Sequence, residues 1–267
     1  MAGLAWAGAG PPIVLVHGWL DHAGTWSDVA ERLEGACVAP DLRGHGRSGW
    51  CGPSDTYHVA EYVADLDALV TSLGGHAHVV GHSLGGAVVS LWAGARPERA
   101  LSVTLVDGLG LADAADSAVA RMVEFLDGVA APRNPRPMAD VDEAARRLQA
   151  SHPFLTEARA RALAARGTRD DASGGVRWAW DPRHRLRSPT PYRADTHARF
   201  LARIACPVVV VRPERSPFDD AHLRPLLAAL PRATLVEVPD AGHMVPLEAP
   251  DAVAAAVSTA IRGAAVP

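Results

Sequence analysis

Two periodicities alternate along the chain. Ile13–Val16, Cys37–Ala39, His76–Val80, Leu101–Val106, Val208–Val211 and Thr234–Val238 read as short strands, and the continuous apolar run Ile13–Val16 is typical of one buried on both faces. Between them apolar residues recur at helical spacing, as Trp26, Val29, Ala30 and Leu33, with Thr25 or Ser27 as cap, and then as Val59, Tyr62, Val63, Leu66, Leu69, Val70 and Leu73, ended by Gly74-Gly75. A helix over Leu84–Ala95 stops before Pro97, another starts after Pro250, and Leu4–Ala7 suits a short first strand. Strands alternating with helices through short connections predict an α/β fold: a mostly parallel twisted sheet with helices on both faces, whose ligands bind beyond the carboxyl ends of the strands.

The alternation breaks off between residues 108 and 203. Helical stretches around Ala114–Leu126, Asp140–Ala150 and Thr156–Arg166 are separated there by loops rich in proline and glycine, and no strand signal is evident. The segment Trp178–Tyr192 is interrupted by prolines yet rich in aromatics. Because the sheet pattern resumes afterwards, residues 1–107 and 204–267 are expected to form one core and residues 108–203 an inserted helical cap.

With 48% hydrophobic residues in 267, a sizeable core is available. No stretch approaches the ~20 apolar residues that span a bilayer, and Met1–Pro12 lacks a basic leader, so a cytoplasmic location is expected. The three cysteines, Cys37, Cys51 and Cys206, lie far apart and read as packing residues rather than a disulfide framework or zinc site. All 26 basic residues are arginine, and 14 of them fall between Pro132 and Arg199 against 8 acids, so this part of the cap is net +6 in a chain of net charge −4. Such a segment can attract an anionic group; a solvated helical surface gives the same composition.

Gly81-His82-Ser83-Leu84-Gly85, between a buried strand and a helix start, is the pattern of a nucleophile elbow, in which the turn tolerates no side chain at either glycine. Serine is a weak nucleophile and needs a base held in one tautomer by a third group. His243, just after the last strand, is in the right chain order to be that base, whereas His17, His22, His45 and His82 read as structural. The oxyanion of an acyl-transfer intermediate needs two backbone donors, and Leu84, after the nucleophile, and Trp19, in the loop after an early strand, occupy those places.

His17-Gly18-Trp19, Asp41–Ser48, the Gly-His-Ser-Leu-Gly-Gly run at 81–86 and Gly242-His243 together resemble the α/β-hydrolase fold superfamily. Trp178–Tyr192 is similar to the lid tail of its serine hydrolase-like subgroup. The resemblance implies that an acid lies in a Gly-x-x-Asp turn after the next-to-last strand, but that turn reads Arg212-Pro213-Glu214-Arg215-Ser216, which puts Ser216 in the acid's place. Asp107, directly after Leu101–Val106 and at a position other members use, and Glu214, two residues early in the usual turn, are the substitutes; Asp107 is preferred.

These residues predict a serine hydrolase that cleaves an ester, thioester or similar acyl bond of a small, largely apolar molecule, with Ser83, His243 and Asp107 catalytic, Trp19 and Leu84 forming the oxyanion hole, and Trp19, Trp178 and Trp180 in contact with substrate. A lyase using the same Ser and His, and a ligand-binding protein on a degenerate hydrolase, are the alternatives. No metal or organic cofactor, nucleic-acid partner or membrane partner is expected, and the oligomeric state is open.

Overall fold

The computed structural model describes residues 1–52, 55–109, 111–132 and 134–264. The expected core and cap segments also include residues 53–54, 110, 133 and 265–267, which lie outside the described residues. In chain order the elements are β1 (Gly3–Trp6), β2 (Ala9–Val16), a 3₁₀ turn (Ala23–Trp26), α1 (Ser27–Ala30), β3 (Gly35–Pro40), α2 (Val59–Ser72), β4 (Ala77–His82), α3 (Leu84–Ala95) and β5 (Ala100–Val106). Then come α4 (Ala118–Ala130), α5 (Val141–Ser151), α6 (Glu157–Gly167), β6 (Thr168–Asp170), β7 (Val176–Trp178), a 3₁₀ turn (Pro182–Arg185) and α7 (Ala194–Leu201). The chain closes with β8 (Val208–Arg215), α8 (Asp220–Ala228), β9 (Ala233–Gly242), α9 (Val245–Glu248) and α10 (Pro250–Ala264). Among the described residues no helix is long and apolar enough to cross a membrane.

Seven strands form one sheet in the order β1-β3-β2-β4-β5-β8-β9; every pairing is parallel except that of β1 with β3. The continuous apolar runs divide between two cores as a period of two demands. Val14, Val16, Val79, Val103, Leu105, Val208 and Val210 face a core with Trp92, Tyr62, Leu66 and Val70 from α2 and α3. Ile13, Leu15, Val80, Val106, Val209 and Val211 face another with Trp26 and, from α10, Val253 and Val257. Burial on both faces is why these strands are so plain in the sequence.

The structure departs from the sequence reading in three places. The helix expected from Trp26 to Leu33 is a 3₁₀ turn followed by the single turn of α1, capped by the His22 imidazole, whose Nδ1 accepts from Gly24 N–H at 3.0 Å, rather than by Thr25 or Ser27. Between β5 and β8 a small antiparallel hairpin, β6 with β7, stands where no strand signal was evident. Trp178, which the sequence places in an irregular segment, is the last residue of β7, and α7 follows the proline-rich stretch.

Helices α5 and α6 bury Met138, Ala144, Ala145, Leu155, Ala160, Leu163 and Ala164 in a third core, completed by Met244 and Leu247. This packing fastens the inserted helices to the loop that carries His243.

Candidate active site

Strand β4 ends at His82 and α3 begins at Leu84, which leaves Ser83 alone to reverse the chain, at φ 54° and ψ −119°. That conformation is strained for a residue with a Cβ and persists only where its surroundings over-determine it. Here the glycines do so: a Cβ on Gly81 would lie 2.2 Å from Gly85 O, and one on Gly85 2.1 Å from Val16 O. The Ser83 N–H donates to Val106 O at 3.1 Å, tying the elbow to β5.

Asp107 follows β5 immediately, also at positive φ (43°), and its N–H donates to Val211 O of β8 at 2.9 Å. His243 stands one residue beyond β9. Its Nδ1 is 2.7 Å from Asp107 Oδ2 and its Nε2 3.1 Å from Ser83 Oγ. With Nδ1–H donated to the carboxylate, Nε2 is the free lone pair that accepts from the serine hydroxyl. The Asp107 side chain is fully buried, and its other oxygen accepts from Ser216 Oγ–H at 2.7 Å, with Arg212 Nη1 3.6 Å away. Arg212 in turn donates to Ser216 Oγ at 2.5 Å. Glu214 points elsewhere: its Oε2 accepts from Asp240 N–H at 2.8 Å, an exposed contact between the ends of β8 and β9.

The loop after β2 is tied to the loop after β3 by two neutral imidazoles. His17 Nδ1–H donates to Gly18 O at 2.7 Å, so its Nε2 accepts from Leu42 N–H at 2.9 Å. His45 does the same across Arg43 O (3.1 Å) and Leu20 N–H (3.2 Å). A ring nitrogen that accepts an N–H bond cannot also carry a proton, and burial adds to that cost: it lowers the His17 pKa well below its ordinary value and pushes His45 down to about 4. His82, which bonds His243 O through Nε2 at 2.7 Å, is pushed down to about 3, also chiefly by burial.

A Cβ on Gly18 would come within 3.2 Å of Ser83 Cβ, so the backbone at Gly18-Trp19 lies directly beside Ser83. Among the described residues neither the Trp19 nor the Leu84 amide has a protein acceptor. The Trp19 ring is 53% exposed and its indole N–H donates to His184 O at 3.1 Å, a link from this loop to the inserted segment. Trp178 and Trp180 stack at 6.4 Å with planes 13° apart and line, with Trp19, Ser83 and His243, a cavity of about 660 Å³.

Ser216, Arg212 and His82 were not among the residues singled out for the site. Ser216 carried a signal, since it occupies the turn position where a carboxylate was expected. Phe218, whose ring meets His243 edge-on at 5.5 Å, carried none.

A family model described as the alpha/beta hydrolase family matches residues 13–256. The chain belongs to that family. It is 27% identical to a serine hydrolase-like protein of Danio rerio over 93% of this chain and 81% of the relative. Over 37% of each chain it is 43% identical to a pimeloyl-[acyl-carrier protein] methyl ester esterase of Chromobacterium violaceum. Among solved structures it superimposes on a thioesterase domain from the curacin biosynthetic pathway with TM-score 0.85 and 28% identity, covering 96% of this chain and 93% of the other.

Proposed function

We propose that this family member is a serine hydrolase that cleaves an ester, thioester or similar acyl bond of a small, largely apolar molecule through an acyl-enzyme on Ser83. The observation that carries the reading is His243, whose two ring nitrogens lie within hydrogen-bond reach of Ser83 Oγ and Asp107 Oδ2 at once. Ser83 Oγ attacks the carbonyl carbon while His243 Nε2 takes its proton, and the resulting imidazolium is stabilised by the Asp107 carboxylate. The alcohol or thiol leaves with the proton from Nε2. Water, deprotonated by the same nitrogen, then attacks the acyl-enzyme and frees the acid.

The Trp19 and Leu84 amides are the donors for the oxyanion, and loss of one such donor costs about 3 kcal/mol of transition-state stabilisation. Trp178 and Trp180 supply an apolar wall for the acyl group. The esterase and thioesterase names among its relatives favour the same class of bond. The Asp107 carboxylate 2.7 Å from His243 Nδ1 supports the hydrolase reading over that of a binding protein on a degenerate hydrolase.

Pre-steady-state mixing with p-nitrophenyl butyrate tests the reading. A burst of one equivalent of nitrophenolate, together with a butyryl adduct on Ser83 in quenched protein, is expected. Turnover with neither burst nor adduct, and with no solvent oxygen in the product, would instead favour elimination by the same Ser and His.

A further inference from the structure

The cavity that holds Ser83 and His243 is also lined by three arginines of the inserted segment, Arg136, Arg147 and Arg185. Arg147 is paired with Glu143 at 2.5 Å. Elsewhere in this segment Arg159, Arg161, Arg177, Arg187 and Arg193 also bond to carboxylates. Arg136 and Arg185 do not: among the described residues neither guanidinium meets an acid.

Arg185 is nonetheless held in place, with its guanidinium carbon 5.3 Å from the centre of the Trp180 ring. A guanidinium lying over an aromatic face is positioned without using its N–H groups, and the edge donors stay available for an incoming oxyanion. Among the described residues the only acid lining the cavity is Asp21. One of its oxygens accepts from Thr25 Oγ1–H at 2.6 Å while the other is buried without a partner. Burial raises the Asp21 pKa, which weakens the one negative charge that could offset the two arginines. The site thus combines an apolar tryptophan wall with two uncompensated cations.

We propose that the substrate of this site carries an anionic group, a carboxylate or phosphate, remote from the scissile carbonyl, and that Arg136 and Arg185 receive it. The inference rests on Ser83 being the nucleophile of the same cavity. Charge-assisted hydrogen bonds to two arginines raise kcat/KM by roughly tenfold to a hundredfold over a neutral isostere, and because they are made equally in ground and transition states the gain appears in KM.

The test compares two substrate pairs in the whole protein. One is a series of p-nitrophenyl monoesters of four- to eight-carbon dicarboxylic acids, with the far carboxylate free or methyl-capped; the other is S-butyryl pantetheine with and without its 4′-phosphate. A preference of tenfold or more for the anionic member of either pair is expected. It falls to near unity in R136Q/R185Q and survives in R199Q/R224Q, which removes the same charge outside the cavity. Preference in the first pair places the anion on the acyl side, and in the second on the leaving group. No preference in either pair, or one that persists in R136Q/R185Q, overturns the inference while leaving the hydrolase reading intact. If wild type turns over none of these esters, titration calorimetry of S83A with monomethyl suberate and with 4′-phosphopantetheine decides. Binding of either that is lost in S83A/R136Q/R185Q keeps the anion site without the nucleophile, and no binding of either overturns it.

Discussion

Ser216 Oγ lies 2.7 Å from Asp107 Oδ1 and donates to it: the residue in the turn where an acid was expected supports the carboxylate that faces His243. Strands β5 and β8 are neighbours in the sheet, so an acid at the end of one and a hydroxyl just past the end of the other converge on the same point. Replacing Asp107 by Asn removes the charge and leaves His243 free to adopt the wrong tautomer. A fall in kcat of about 10⁴-fold is expected on a p-nitrophenyl ester. Glu214→Gln, which alters only an exposed contact between the ends of β8 and β9, is expected to keep kcat within about twofold. Equal losses in the two variants would contradict the assignment of Asp107.

Ser216→Ala leaves one oxygen of the buried Asp107 facing only Arg212 at 3.6 Å. A hydrogen bond to a charged group is worth about 1.5–3 kcal/mol, so a roughly tenfold lower kcat and a lower melting temperature are expected, with recovery in Ser216→Thr. Steady-state kinetics and differential scanning calorimetry on the three proteins check this.

The elbow permits no side chain at its glycines. In Gly85→Ala the new methyl would meet Val16 O at 2.1 Å, a backbone atom at the carboxyl end of β2, and α3 would have to move to relieve it. A destabilisation of more than about 3 kcal/mol is expected, measured by urea unfolding. A variant as stable as wild type would mean that the elbow is looser than the contacts describe.

Acid should open the loop that carries Trp19. His45 is neutral in the fold, its pKa pushed down to about 4, whereas in the unfolded chain it titrates near its ordinary 6.5. The folded state therefore binds fewer protons between these values, and stability, fully present above pH 6.5, falls as the pH drops through that window. The loss from His45 alone is on the order of 3 kcal/mol by pH 4, and His17 and His82, lowered in the same sense, add to it. Urea midpoints measured from pH 7.5 to 4 should fall steadily, and less steeply in His45→Gln. A flat profile would show that these imidazoles accept protons in the fold.

The sheet was legible because strands buried on both faces carry few polar residues to blur them, as in Ile13–Val16 and Val208–Val211. The β6–β7 hairpin was not, since its strands are three residues each and carry Arg169, Asp170 and Arg177 outward. Ser83 and His243 could be singled out because sterics and chain order constrain them locally. The choice between Asp107 and Glu214 could not be read with the same ease: it depends on which way each side chain leaves its strand end, and only the packing of β5 against β8 fixes that. Arg136 and Arg185 were indistinguishable from other arginines of a chain without lysine until the partners of their neighbours were known.

On the proposed mechanism Ser83 is a nucleophile activated by His243, which Asp107 orients. Intact-protein mass spectrometry after reaction with a fluorophosphonate tests it most directly. One adduct per chain, mapped to Ser83, absent in Ser83→Ala and formed orders of magnitude more slowly in Asp107→Asn, is the predicted result. Folded wild-type protein that stays unlabelled, or is labelled at another residue, would contradict it.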